Sequence, residues 1–111
     1  MPEKAIAFDY LTTTEEVVQV DSIIIDKQIT NKKHKVKLYT NSQQTVLFFT
    51  AGTDKQTWYH FYLFDVEGKL VRQLRVKGLQ TTLIRNIATG NYTFEIFNSD
   101  VRIEAGRLSV I

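Results

Sequence analysis

The sequence predicts an all-β protein, folded as an antiparallel β-sandwich of about seven or eight strands. Turn-forming residues recur at intervals of roughly 8–12 residues, a spacing typical of sandwiches and barrels. The segments between them are rich in β-branched and aromatic side chains, which favour strands. No segment has the apolar period of an amphipathic helix, and the single proline, Pro2, leaves every later residue able to donate a backbone hydrogen bond.

The length of 111 residues indicates one domain. Residues 1–16 have no clear periodicity and are predicted to be a linker or a loosely docked first strand, whereas residues 17–111 are predicted to form the single sandwich domain. The strands expected in this domain, in order, are residues 17–20 with 23–25, then 35–39, 45–49, 58–64, 70–76, 82–87, 92–97, 101–103 and 106–111.

The clearest local signal is a hairpin that joins residues 58–64 to residues 69–71. The aromatic first strand runs into Asp65-Val66-Glu67-Gly68. Asp65 is expected to cap the turn with its own side chain, and Gly68 to adopt the left-handed backbone that a four-residue loop commonly needs. This hairpin predicts antiparallel pairing.

The period of two along a strand predicts which side chains face the core. On one strand Tyr92, Phe94 and Ile96 share a side and are expected to be buried. On the aromatic strand the matching inward set is Tyr59, Phe61 and Leu63. The opposite side of that strand then carries Trp58, His60 and Tyr62.

Composition excludes several classes of function. The 14 basic and 12 acidic side chains nearly balance, so no nucleic-acid partner is expected. The absence of cysteine excludes disulfides and thiolate metal sites. No apolar run approaches the length of about 20 residues that spans a membrane. Residues 1–4 lack the apolar stretch of a signal peptide, which indicates a cytosolic protein or a chain whose leader or preceding domains have been removed.

The residues Trp58, His60 and Tyr62 are the best binding candidates that the pattern offers. Aromatic side chains two apart on a strand form a platform with steps of about 7 Å, suited to stacking on sugar rings or bases. The alternative is that they pack against a loop, the N-terminal segment or a partner chain. A glycan is therefore one candidate ligand.

Other candidate groups are weaker. Lys33, Lys35 and Lys37 are expected on one face of a strand, as a phosphate-tracking strip or as a solvated face that protects a sheet edge. The histidines His34 and His60 have no ligand spacing, so no metal site is predicted. No serine lies in a nucleophile elbow and no glycine-rich phosphate loop is present. The sequence thus predicts a protein that is not an enzyme and that needs no cofactor.

Three blocks in the second half of the chain resemble a known family. Residues 61–71 contain an apolar strand, an Asp65-x-x-Gly68-Lys69 turn and a return strand; residues 84–96 contain spaced apolar residues followed by Gly90-x-Tyr92; residues 107–111 form a basic and apolar ending. In this order they resemble the C-terminal sorting domain of proteins exported by the type IX secretion system of Bacteroidetes. They are also similar to small immunoglobulin-like sandwich domains of those bacteria.

The resemblance implies an immunoglobulin-like fold and a non-catalytic sorting function. Such a domain folds in the periplasm, binds the outer-membrane secretion machinery and directs its cargo to the cell surface or medium. Gly90 and Tyr92 would then provide shape, and Arg107, Leu108 and Val110 would provide recognition, with pairing at the edge of the final strand as one mode of binding.

Two departures keep an alternative open. The ending has one basic residue, Arg107, where sorting domains often have two, and residues 1–57 are more sheet-like than a spacer. The alternative is a stand-alone secreted or surface sandwich module that binds a glycan or a protein through Trp58, His60 and Tyr62.

Overall fold

A computed structural model describes residues 22–111 of the chain. This part of the chain contains eight β-strands and one short 3-10 turn, Lys32–His34. The strands are β1 Ile23–Ile29, β2 Lys37–Thr40, β3 Leu47–Thr50, β4 Trp58–Asp65, β5 Leu70–Lys77, β6 Thr81–Ile84, β7 Gly90–Asn98 and β8 Val101–Val110. The predicted boundary at residues 16/17 and the predicted strand at residues 17–20 lie outside the described residues.

The strands form two antiparallel sheets. One has five strands in the order β1-β8-β7-β4-β5, and the other has three in the order β2-β3-β6. The sheets pack face to face, since Phe49 of the small sheet contacts Phe61 of the large sheet with ring centroids 5.7 Å apart. The predicted all-β, immunoglobulin-like antiparallel sandwich of seven or eight strands is confirmed.

The core lies between the two sheets and follows the period of two. Tyr59, Phe61 and Leu63 of β4 are buried, as predicted. On β7, Phe94 and Ile96 are fully buried. Burial of each large apolar side chain contributes about 1.5–3 kcal/mol to the stability of the sandwich.

Tyr92 differs from this prediction because it is only partly buried, although it packs against the core. It lies near the start of β7, where the sandwich ends. Its hydroxyl donates a hydrogen bond of 2.5 Å to the carbonyl oxygen of Ala88. The ring therefore packs at the edge of the core, while its hydroxyl binds a backbone carbonyl of the connection that leads into β7. This arrangement is known as a tyrosine corner.

The predicted lysine strip on one strand face is wrong. Asn31 accepts a hydrogen bond from the backbone N–H of Lys33 and starts a 3-10 turn, and Lys35 then adopts a left-handed conformation with φ 49°. The strand begins only at Lys37. Because Lys33 and Lys35 lie in the turn and only Lys37 lies on a strand, the three lysines do not project from one face of a pleated strand.

The expected break before Gly106 is also absent, because β8 runs without interruption from Val101 to Val110. Gly106 pairs with Lys27 of β1 and with Phe94 of β7. A Cβ atom at Gly106 would overlap the carbonyl oxygen of Asp26 and lie 2.9 Å from the Lys27 Cα. Gly106 therefore permits a close approach of two strands and does not mark a turn.

Candidate functional site

The three sequence blocks that carry the family resemblance meet at one end of the five-stranded sheet. They line a cleft of about 620 Å³, called here the hairpin cleft. The β4–β5 turn contributes Asp65, Val66 and Gly68, the start of β7 contributes Asn91, Tyr92 and Thr93, and the end of β8 contributes Arg107 and Ser109.

The β4–β5 turn, which forms as predicted, lines the first wall of the cleft. One carboxylate oxygen of Asp65 accepts hydrogen bonds of 2.9 Å from the backbone N–H groups of both Glu67 and Lys69. Gly68 has φ +82°, a conformation that glycine adopts without a steric cost. The turn is thus held by its own side chain, and it places Asp65 directly across from Tyr92 of β7.

The start of β7 forms the floor. Gly90 begins the strand, and a Cβ atom there would lie 3.5 Å from the Tyr92 hydroxyl, an ordinary contact distance. Beside Tyr92, the hydroxyl of Ser109 on β8 donates a hydrogen bond of 3.0 Å to the side-chain oxygen of Asn91. The shape role expected of Gly90 and Tyr92 stays a prediction.

The predicted recognition residues of the final strand separate onto two faces. Arg107 is exposed, lines the cleft and pairs in register with Thr93 of β7 and Asp26 of β1. Leu108 and Val110 point the other way and are 0% and 2% exposed. In the folded domain a partner can touch Arg107, whereas Leu108 and Val110 belong to the core.

Edge pairing through the final strand is wrong for this fold. The strand β8 lies between β1 and β7 and is hydrogen-bonded on both sides. Within residues 22–111 the edges of the large sheet are β1 and β5. The order of the strands in the sheet, which the local sequence does not show, places the final strand in the interior of the sheet.

The aromatic row Trp58, His60 and Tyr62 lies on the outer face of the five-stranded sheet, as the alternation of β4 predicts. The rings of His60 and Tyr62 are nearly parallel, with centroids 6.2 Å apart and an interplanar angle of 8°. Phe97 of β7 meets Tyr62 edge-on at 5.8 Å. The row is therefore supported by a neighbouring strand, and its first member, Trp58, remains 39% exposed.

Two cations beside Trp58 were missed by the sequence analysis. The guanidinium carbon of Arg75 lies 3.9 Å from the centroid of the Trp58 ring, and the Lys77 Nζ lies 5.3 Å from it. Both belong to β5, in which apolar Leu74 and Val76 alternate with basic Arg75 and Lys77. This alternation was the signal that could have placed the two cations on one face. Pairing the residues of β4 and β5 one by one outward from the Asp65 turn predicts the wrong partners, because β5 has an extra residue near Val71 that shifts the register.

The two histidines do not meet. The Nδ1 atom of His34 lies 3.1 Å from the Tyr59 hydroxyl on the inner side of β4, whereas His60 lies on the outer side. Burial raises the pKa of the Tyr59 hydroxyl, and the charge of Asp54 adds to the effect. Residues 22–111 contain no cluster of three or more side chains suited to binding a metal ion.

One charged side chain lies inside the sandwich. Glu104 of β8 is completely buried, and its carboxylate lies 3.3 Å from the Lys27 ammonium of β1. Burial raises the pKa of Glu104, and the nearby Lys27 charge opposes that rise. This pair joins β1, an edge strand of the described sheet, to its neighbour β8.

Neither models of known protein families nor curated proteins match this chain. The structure contains no helix in residues 22–111 that could cross a membrane. The family resemblance accordingly rests on the three sequence blocks alone.

Proposed function

We propose that this domain is a non-catalytic sorting signal, which directs an attached protein through the type IX secretion system, and that the machinery recognises the hairpin cleft. The supporting observation is the convergence of the three blocks. They lie at residues 61–71, 84–96 and 107–111 of the sequence, and all three contribute to one cleft.

The polar members of the cleft favour recognition over a purely structural role. The fold already has its apolar core, which uses Phe94, Leu108 and Val110 from these same blocks. Arg107 contributes nothing to that core because it is exposed. An exposed guanidinium offers five N–H donors in a rigid fork, which fits a carboxylate on a partner protein.

The proposal implies a periplasmic and outer-membrane route, ending in a secreted or surface-attached cargo. The partner is the secretion machinery or a protein of it, bound through charge and shape. No step requires a cofactor.

Fusion of the whole chain to a reporter tests this function. The reporter would carry a leader for export to the periplasm and would be expressed in a bacterium that has the type IX machinery and in a matched strain that lacks it. We expect reporter on the cell surface or in the medium only in the first strain. Retention of the wild-type fusion in the periplasm of both strains would contradict the proposal.

A second candidate function is a binding module that uses the aromatic row. The observation that favours it is the exposed Trp58 with Arg75 and Lys77 held beside its ring. The exposed part of the ring can stack on a ligand, and the two cations place positive charge beside it. The module would bind a glycan or a protein without catalysis.

A further inference from the structure

Trp58 and the two cations beside it adjoin a second cleft. This cleft has a volume of about 460 Å³ and is lined by Lys55, Gln56, Lys77, Gly78, Leu79 and Gln80. Lys77 belongs to both features, since it lines the cleft and lies 5.3 Å from the Trp58 ring. We call Trp58, Arg75, Lys77, Lys55 and the two glutamines Gln56 and Gln80 the cationic corner.

The position of the Arg75 guanidinium over the Trp58 ring allows it to bind an anion. A guanidinium that lies over a ring is held by the ring's electrons, while its N–H donors point outward in its own plane and are not used by the ring. These donors match the two oxygens of a carboxylate. Lys77 adds positive charge beside the same ring, and Lys55 adds it in the adjoining cleft.

One acidic side chain close in sequence to this corner, Asp54, makes its hydrogen bonds within its own loop. Asp54 lies in the loop before β4, and its carboxylate accepts hydrogen bonds of 2.8 and 2.9 Å from the backbone N–H groups of Gln56 and Thr57. These bonds lower the pKa of Asp54 and hold its charge within the loop. The carboxylate of Asp54 stays charged, but among the four side chains Arg75, Lys77, Lys55 and Asp54 positive charge predominates by three to one, which favours an anion.

We infer that the cationic corner binds a uronic-acid residue of an acidic polysaccharide. The pyranose ring stacks on the exposed part of Trp58, its carboxylate is bound by Arg75 and Lys77, and its hydroxyls exchange hydrogen bonds with Gln56 and Gln80. Amide side chains suit this last task because each has both donors and acceptors. This inference rests on the second candidate function and names its ligand.

The distribution of charge favours a sugar acid over nucleic acid. A nucleic-acid surface needs basic side chains along a path, to follow successive phosphates. Here the cations gather at one end of β4 and β5, while the row continues with His60 and Tyr62 stacked on each other. One stacked ring with a local anion site fits one charged sugar unit.

Calorimetric titration of the full chain with a trimer of galacturonic acid tests the inference. The fully methyl-esterified trimer, which has the same rings without the charge, is the matched ligand, and a short oligothymidylate represents nucleic acid. We expect the acid to bind at least about tenfold more tightly than its ester, since a charged hydrogen bond is lost in the ester.

Three substitutions locate the site. Trp58→Ala and Arg75→Ala should each weaken binding about tenfold or more, because stacking and the charged hydrogen bonds are removed. Arg75→Lys should restore only part of the affinity, since lysine lacks the planar fork. Arg102→Ala removes the same charge from the same sheet face and should leave binding unchanged, because Arg102 pairs with Glu95 on β7.

The inference would be overturned if Arg102→Ala weakened binding as much as Arg75→Ala does, or if the oligothymidylate bound more tightly than the galacturonic acid trimer. Equal affinity for the acid and the ester, still dependent on Trp58, would overturn the uronic-acid assignment and leave the binding module standing. If neither sugar binds in a manner that depends on Trp58, the inference and glycan binding by the module both fail.

Discussion

Gly106 is the residue whose identity the fold constrains most visibly. The backbone of β1 approaches it so closely that a Cβ atom would overlap the Asp26 carbonyl oxygen and crowd the Phe94 ring. Backbone atoms cannot move aside as a flexible side chain can. The sheet therefore tolerates only glycine here, in the middle of its longest described strand.

The change Gly106→Ala should lower the free energy of unfolding by about 3 kcal/mol or more, because the added methyl group separates β1 from β8. Gly68→Ala is the control. Gly68 has φ +82° but no atom within 4 Å of a Cβ position, so only backbone strain of about 1–2 kcal/mol is expected there. Denaturation in urea measures both, and an equal or smaller loss in Gly106→Ala would refute the close approach.

Glu104 predicts a pH dependence of stability. Burial raises its pKa in the folded state above the ordinary value of 4.5, so the folded state holds the proton more tightly than the unfolded state. The resulting stabilisation is complete below that ordinary value and is lost as the pH rises through the folded-state pKa.

The change Glu104→Gln replaces the carboxyl group with a neutral group of similar shape. The stability of this variant relative to wild type should therefore increase between pH 4 and pH 7. Thermal unfolding of both proteins across this range measures the difference. A relative stability that stays constant, or that falls with pH because Lys27 outweighs burial, would contradict the assignment.

At the scale of elements, the β4–β5 hairpin combines a predictable turn with an unpredictable register. Asp65 and Gly68 predict the turn, because the residue preferences of a tight loop depend only on its own backbone conformation. No local sequence pattern predicts the bulge near Val71, yet the bulge brings Arg75 opposite His60 and Lys77 opposite Trp58. Without it, Leu74 and Val76 would face the aromatic row, and the cationic corner would not form.

The change Asp65→Ala should destabilise the protein by about 1–2 kcal/mol, because two backbone N–H groups lose their acceptor. Asp65→Asn keeps one side-chain oxygen and should cost less. Chemical denaturation compares them. A stable Asp65→Ala variant, equal to wild type, would show that the turn is held by its backbone alone.

How far the sequence could predict this protein depends on whether each feature is local or long-range. The alternation that buries Phe61 and exposes Trp58 is local, and it was predicted. The uninterrupted β8, whose Gly106 is in register with Lys27 of β1, depends on a strand distant in sequence. The sequence shows the three blocks separately but not the cleft, because the order of the strands in the sheet brings the blocks together.

At the scale of the whole molecule, the outer face of the five-stranded sheet carries two separate candidate sites. The hairpin cleft includes Asp65 at the end of β4, and the cationic corner includes Trp58 at its start. Eight residues of strand place them about 23 Å apart. The two sites can therefore be altered independently, and Trp58→Ala should leave sorting unaffected.

The most direct test of the account compares Arg107→Ala with Arg102→Ala in the reporter fusion. Both arginines lie on the outer face of β8, and Arg102 forms an exposed pair with Glu95 that adds little to stability. Loss of the Arg107 charge should reduce surface delivery about tenfold, since a charged hydrogen bond to the machinery is removed. Arg102→Ala should be delivered like wild type. Normal delivery of Arg107→Ala, or an equal defect in both variants, would contradict recognition at the hairpin cleft.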